Sequence, residues 1–403
     1  MADSPPRDEN VASPWAELWP LDRSVAYLNH ASFGACPTAI LERQTALRLE
    51  LEREPADFLV RQLPERLATA REALARFVGA AAADLAFVPN ATTAVSTVLR
   101  SLTLGPGDEL LTTDHTYAAC RKAAEFVTAR AGARLVTARV PFPLASEDAV
   151  VAAVLAAVTP RTRLALIDHV TSPTALVFPI ERLVRGLAEQ GVETLVDGAH
   201  ALGMVPLEIA QLRAAYYTAN AHKWLCAPKG SAFLFVRRDR QHGLHPLAIS
   251  HGYDPERASG GFRAEFDWVG TTDPTPWLVI PECLAFLGGL LPGGWPELMA
   301  TNRALALRAR AILCEALALV APCPESMIGA IASMPLQAPA PGSPVERLDH
   351  EHLMNWFRRR GFETWCHPGV SGGKLIRVSA QLYNHEAQYH ALALVLGEAM
   401  RGD

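Results

Sequence analysis

Thr194-Leu195-Val196-Asp197-Gly198-Ala199-His200 and Tyr216-Tyr217-Thr218-Ala219-Asn220-Ala221-His222-Lys223-Trp224 decide the fold. The first is a short apolar run that ends on a carboxylate; the second runs on past its end to an amine. Outward from this pair, similar runs occur at 85–89, 109–112, 135–138, 164–168 and 232–236. Between them, Val95, Val98, Leu99 and Leu102 fall at i, i+3, i+4 and i+7, and Ile180, Leu183, Val184 and Leu187 repeat that spacing. Such spacing marks helices with one buried face. Near-continuous apolar strands interleaved with helices predict an α/β fold, with a mostly parallel seven-stranded sheet sandwiched by helices and joined by right-handed crossovers. Ligands in such sheets bind beyond the C-terminal ends of the strands, where Asp197 and Lys223 stand.

Past residue 238 the alternation lapses into a Gly- and His-containing loop over 242–276. It is too long to be a mere connector and is a candidate binding segment. A helical stretch at 281–319, an Ala/Pro-rich loop at 335–344, a helix starting near Leu348 and an apolar run at 375–378 predict a smaller α+β lobe. The expected organisation is an N-terminal arm at 1–25, in part disordered, a large domain at 26–280 and a small C-terminal domain at 281–403.

With 403 residues, 50% hydrophobic and 20% charged, the chain can bury a sizeable core. Its 37 basic and 42 acidic residues leave a formal charge of -5, with no basic run able to track a phosphate backbone, so no nucleic-acid partner is expected. The seven cysteines are scattered, with no Cys-x-x-Cys, which argues against a disulfide framework or zinc knuckle and for a reducing cytoplasm. The polar N-terminus lacks the pattern of a signal peptide, and no apolar stretch is long enough to suggest membrane insertion. His350-Glu351-His352 reads as a solvated turn, since adjacent positions do not share a helix face, and no metal is expected.

Three points carry chemistry. Asn90-Ala91-Thr92-Thr93-Ala94 follows one run and opens a helix, so backbone N–H groups, two hydroxyls and the positive helix end would face one point. Alone, Thr there is an ordinary cap. Asp197 puts a carboxylate at the same sheet edge, able to hold a heteroaromatic nitrogen protonated. Alone, such an Asp binds metal or caps a helix. Lys223 adds an amine, and a lone loop lysine is usually only solvated. Together, a phosphate cradle, a carboxylate and an amine are the three anchors of pyridoxal 5'-phosphate (PLP): phosphate, pyridine nitrogen and aldehyde.

The ordered set Asn-Ala-Thr-Thr (90–93), Asp-His-Thr-Tyr (114–117), Ile-Asp-His-Val-Thr-Ser-Pro (167–173), Val-Asp-Gly-Ala-His (196–200), Asn-Ala-His-Lys-Trp (220–224), Val-Gly-Thr-Thr-Asp (269–273) and Ile-Arg-Val-Ser (376–379) resembles the class V aminotransferase superfamily of fold-type I PLP enzymes. Within it, Leu-Asn-His-Ala-Ser-Phe-Gly (28–34) and the lysine motif are similar to the isopenicillin-N epimerase branch, which also contains cysteine desulfhydrases and ergothioneine-pathway carbon-sulfur lyases. The resemblance implies that Lys223 forms a Schiff base with the cofactor, that Asp197 pairs with the ring nitrogen, and that Ser172 and His200 approach the phenolic oxygen. His115 or Tyr117 would stack on the ring. Phosphate contacts would come from Ala91, Thr92, Thr93 and His222, with Thr271 or Thr272 reaching in from a second subunit of a homodimer. Arg377 would grip the substrate carboxylate, and Asn29 would border the substrate.

The branch departs from the wider pattern in having Asn220 where many members have Ser, and Ala31 replaces the usual Gly of the N-terminal motif. Cys366 stands eleven positions before Arg377, but its surroundings do not match the desulfurase pattern. The implied chemistry is removal of the Cα proton of an amino acid by Lys223. Reprotonation on the opposite face, with Tyr117 or His115 as the second acid, makes an epimerase. Expulsion of a β-sulfur group makes a carbon-sulfur lyase. Transamination, desulfuration and a catalytically silent PLP-binding module are the further readings.

Overall fold

A computed structural model describes residues 13–254, 261–370 and 372–401. Residues 1–12 of the expected N-terminal arm, and part of the 242–276 loop, therefore lie outside the described residues.

The central sheet consists of β1 (Leu85–Val88), β2 (Glu109–Thr113), β3 (Arg134–Ala138), β4 (Thr162–Asp168), β5 (Glu193–Asp197), β6 (Tyr216–Asn220) and β7 (Ala232–Val236). Its seven strands lie in the order β1-β7-β6-β5-β4-β2-β3. All neighbours are parallel except those of β7, which runs antiparallel to both β1 and β6. Every residue of β1, β2, β6 and β7 is buried, as befits strands covered on both faces. The apolar stripes of helices Ala91–Ser101 and Ile180–Glu189 bury Val95, Val98 and Leu99 in one and Ile180, Leu183, Val184 and Leu187 in the other. These two helices serve opposite faces of the sheet, because their buried residues join two different core clusters.

The predicted helical stretch 281–319 is two helices, Ile280–Gly288 and Gly294–Ala316, broken where Pro292 and Gly293 cannot continue the first. A second sheet follows, formed by β8 (Ile331–Leu336), β9 (Trp365–Pro368) and β10 (Lys374–Ser379) in the antiparallel order β9-β10-β8. Helix Glu386–Arg401 packs on Gly294–Ala316 beside it. The N-terminal segment crosses back to this region: Ala26 and Tyr27 pair in parallel with Phe362 and Glu363. The Ser379 N–H donates to the Leu28 carbonyl at 2.7 Å. Residues 28–34 are thus strung between the second sheet and the C-terminal edge of the first. Among the described residues, no helix is long and apolar enough to cross a membrane.

Candidate active site

Parallel neighbours β4 and β5 end in register, Asp168 opposite Asp197, and the chain leaving β6 at Asn220 reaches Lys223 three residues later. Between these ends and the start of helix Ala91–Ser101 lies a cavity of about 150 Å³ that opens to solvent on one side. Its wall includes Ala91, Thr92, Tyr117, Asp168, Ser172, Asp197, His200, His222 and Lys223. Motifs 129 residues apart are joined at its rim, where the Ala91 N–H donates to Asn220 Oδ1 at 2.9 Å.

Lys223 Nζ lies 3.2 Å from His200 Nε2. Burial, then the positive charge of Arg377, pushes the lysine down to about 7, against a smaller opposing effect of Asp197. Its amine is thereby neutral in a good part of the population at neutral pH, the state a nucleophile or base needs. His200 is held well below its ordinary range by burial and by Lys223, so it is neutral. Asp197 accepts from the Ala199 N–H at 3.0 Å and from the Cys120 thiol at 3.2 Å. Burial nevertheless raises its pKa, since no cation stands close enough to offset desolvation in full.

Arg377 is 2% exposed and does not itself form the cavity wall. Nη1 donates to the Ser172 carbonyl at 2.7 Å and to Ser172 Oγ at 3.0 Å, and Nη2 donates to Ser32 Oγ at 2.9 Å. Its Nε is buried without a partner. Asn29 is likewise one layer back: its Oδ1 accepts from Ser32 Oγ at 2.6 Å, which orients that hydroxyl between Asn29 and Arg377.

The sequence matches the family model "Aminotransferase class-V" over residues 56–258. The chain belongs to the class V aminotransferase family. It is 38% identical over 404 residues to an isopenicillin N epimerase of Amycolatopsis lactamdurans, an alignment covering 96% of this chain and 99% of that one. It is 33% identical over 365 residues to a putative L-cysteine desulfhydrase of Oryza sativa subsp. japonica, covering 86% and 74% respectively. A solved cystine C–S lyase in complex with cysteine persulfide shares the fold, with a TM-score of 0.76 at 21% identity over 94% of this chain and 98% of that one. The architecture is accordingly that of fold-type I, and PLP is the cofactor of this class V enzyme.

The cavity fits that group. Asp197 is a buried carboxylate whose desolvation is offset only in part by its two donors and Lys223, and a protonated ring nitrogen would supply the balance. Lys223 offers an amine of lowered pKa to an aldehyde. At the phosphate end, the amides of Ala91 and Thr93 are already taken by the side chains of Asn220 and Asn90. The cradle expected from open N–H groups is therefore narrowed to Thr92, on the wall, and His222. His222 donates Nδ1–H to the Ser231 carbonyl at 3.0 Å, and burial holds the ring down to about 4; a bound phosphate beside Nε2 would favour its protonation. Thr93 is not on the wall, and Thr271 and Thr272 are exposed on the surface of the single chain.

Of the two candidates for the ring face, the structure brings Tyr117 to the cavity and not His115. His115 is fully buried, donating Nε2–H to the Val140 carbonyl at 2.9 Å and accepting from Thr174 Oγ1 at 2.6 Å. Cys366 is buried within β9, paired across from Ile376, and cannot swing as a persulfide carrier. Residues missed by sequence reasoning are Asp168, Cys120, Ser32 and Phe33. Asp168 carried a usable signal, since it ends the run at 164–168 as Asp197 ends its own.

The stretch 28–34 has a physical role that its motif did not reveal. His30 donates Nε2–H to the Lys223 carbonyl at 3.0 Å and accepts from the Tyr383 hydroxyl at 2.8 Å. Gly34, at φ +69° and ψ 169°, occupies a region open essentially to glycine alone. A Cβ there would overlap the His222 carbonyl oxygen and lie 2.9 Å from Lys223 Cα. Gly34→Ala is expected to destabilise the fold by about 3 kcal/mol or more, from backbone strain plus overlap. Thermal unfolding checks it, and a parallel loss of PLP affinity would show that the lysine loop has moved.

Proposed function

We propose that this enzyme epimerises an amino-acid substrate by removing and returning its Cα proton, with Lys223 as the base. The observation that carries the reading is a buried lysine lowered to about 7 in a cavity whose far wall holds Asp197. PLP, when bound, supplies an aldehyde for the amine and a ring that takes up the electrons released at Cα. Arg377, one layer behind the wall, orients the Ser172 and Ser32 hydroxyls and lends its positive charge to the side of the cavity that would take the substrate carboxylate. Lys223, the amine that would hold the cofactor, is also the base that accepts the Cα proton. Asp197 would hold the ring nitrogen and keep a negative charge beside it. Tyr117, whose pKa is raised chiefly by burial, retains its phenolic proton and donates it on the opposite side.

Supporting this choice is the relatedness to an isopenicillin N epimerase over nearly the whole length of both chains. The second reading, a carbon-sulfur lyase acting on cysteine or a cysteine conjugate, is favoured by the relatedness to a putative cysteine desulfhydrase. Holoenzyme incubated in deuterium oxide with a panel of amino acids and cysteine conjugates separates the two. Inverted product with deuterium at Cα is expected. Keto acid and released thiol without inverted product would establish the lyase instead.

The functional unit is a homodimer in which Thr271 or Thr272 serves the neighbour's phosphate site, in keeping with the exposure of both on the single chain. Sedimentation of the holoenzyme checks it. A cytoplasmic location accords with seven free cysteines, all buried.

A further inference from the structure

The second carboxyl of the cavity, Asp168, has no role in the mechanism above. It ends β4 directly beside Asp197 on β5, in register. Register partners on adjacent parallel strands stand about 4.8 Å apart and project to the same face. Both side chains line the cavity, and both residues are 2% exposed. Two buried carboxylates side by side repel each other, which favours a proton on one of them.

The donor accounting decides which. Asp197 has a donor on each oxygen, Ala199 N–H and Cys120 S–H, and both favour its charged form. Asp168 has weaker support. Its Oδ1 receives the Tyr117 N–H at a long 3.4 Å, and the Thr116 side chain and its own backbone N–H also favour the charged form, but Oδ2 is buried with no hydrogen-bond partner, whereas both oxygens of Asp197 are served. An ionised oxygen left bare costs more than a protonated one, which can act as a donor. The titratable and charged groups facing Asp168 are Asp197 from β5, Cys120 from helix Ala118–Ala131 and Lys223 from the loop after β6. Burial first, and Asp197 second, push the Asp168 carboxyl well above the ordinary carboxylate range.

We infer that Asp168 is a positioning residue that stays a neutral carboxylic acid beside Asp197, so that the pair presents one negative charge and one hydrogen-bond donor to the cofactor cavity. The charge is thereby confined to Asp197, the better-supported member. The inference rests on the reading of Asp197 as the partner of the ring nitrogen, and it adds that the neighbouring site must be filled by a neutral donor. An apolar residue would leave the pocket without that donor, and a second ionised carboxylate would compete with Asp197 for the one cation.

Infrared spectra of the cofactor-free protein at neutral pH test the protonation directly. The parent-minus-Asp168→Asn difference is expected to contain a carboxylic-acid band that shifts in deuterium oxide; its absence overturns the inference. Spectroscopic titration with PLP tests the role. Asp168→Asn, neutral and still a donor, is expected to keep the dissociation constant within about threefold, whereas Asp168→Ala weakens it about tenfold, the worth of one hydrogen bond. If Asn is as damaging as Ala, the site needs a carboxylate and the inference fails; if both bind like the parent, Asp168 does not serve the site. Should Asp197→Asn alone leave PLP binding and the absorbance of the bound cofactor unchanged, the reading of Asp197 fails while the infrared result stands.

Discussion

Lys223→Ala is expected to lower turnover by at least about 10⁴-fold, because under the proposed mechanism one side chain supplies both the covalent anchor and the base. No other described amine lines the cavity, so none can substitute. The side chain's hydrogen bond is to His200, and removing a buried amine from a wall already open to the cavity leaves the packing of Trp224 and Leu225 intact. The variant should therefore fold. Borohydride reduction followed by peptide mass analysis should find PLP fixed to the Lys223 peptide in the parent and nowhere in the variant. A variant that retained the visible absorbance band of a lysine-bound cofactor would refute the assignment. The pH dependence has a definite sign. Lys223 is lowered to about 7 in the cofactor-free protein, so its amine is protonated and unreactive below that pH and neutral above it. The rate of covalent PLP attachment should rise as pH increases through about 7 and then level off. A lysine of ordinary pKa would still be gaining rate near pH 10.

The fold and the meeting of Asp197 with Lys223 were legible for one reason: strands buried on both faces write themselves as unbroken apolar runs, and the chemistry of an α/β sheet gathers at their C-terminal ends. All seven central strands are where the runs lie, and Asp197 and Lys223 meet at one cavity. What was not legible depends on contacts between distant parts of the chain. His115 and Tyr117 are two residues apart on a turn, and their separation into core and wall is decided by Thr174 and Val140, which claim the imidazole. The role of His30 needs a carbonyl 193 residues away. Arg377 can be placed as a carboxylate fork from its type, but not as one held behind Ser172 and Ser32. The three-stranded sheet was seen only at β10. In β8, Pro335 interrupts the apolar run, and in β9 the residues Trp365-Cys366-His367-Pro368 show no apolar alternation to read.

Asp197→Asn should be the second most damaging change, and its signature differs from that of the lysine. The amide keeps the shape of the carboxylate but not its charge, and it has one acceptor oxygen where Asp197 uses two, so either Ala199 N–H or Cys120 S–H loses its partner. Covalent attachment at Lys223 should survive. Turnover should fall about 10²–10³-fold, the usual effect of removing one electrostatic group aimed at developing charge, because an unprotonated ring absorbs electrons from Cα poorly. Deuterium exchange at Cα should fall in step, which places the defect at proton removal and not at product release. The cofactor-free protein should respond in the opposite sense. Burial raises the pKa of Asp197, so between its unfolded and folded values the native state binds more protons than the unfolded one. Its contribution to stability is present below the unfolded pKa and is lost as pH rises through the folded one. Asp197→Asn removes that loss, so the cofactor-free variant should melt higher than the parent at neutral pH, with the advantage shrinking toward acid pH. Bound PLP should reverse the order, because only the parent carboxylate then gains a cation. Thermal melts of both proteins, with and without PLP, distinguish an electrostatic role for Asp197 from a purely structural one, under which the variant would melt lower in both states.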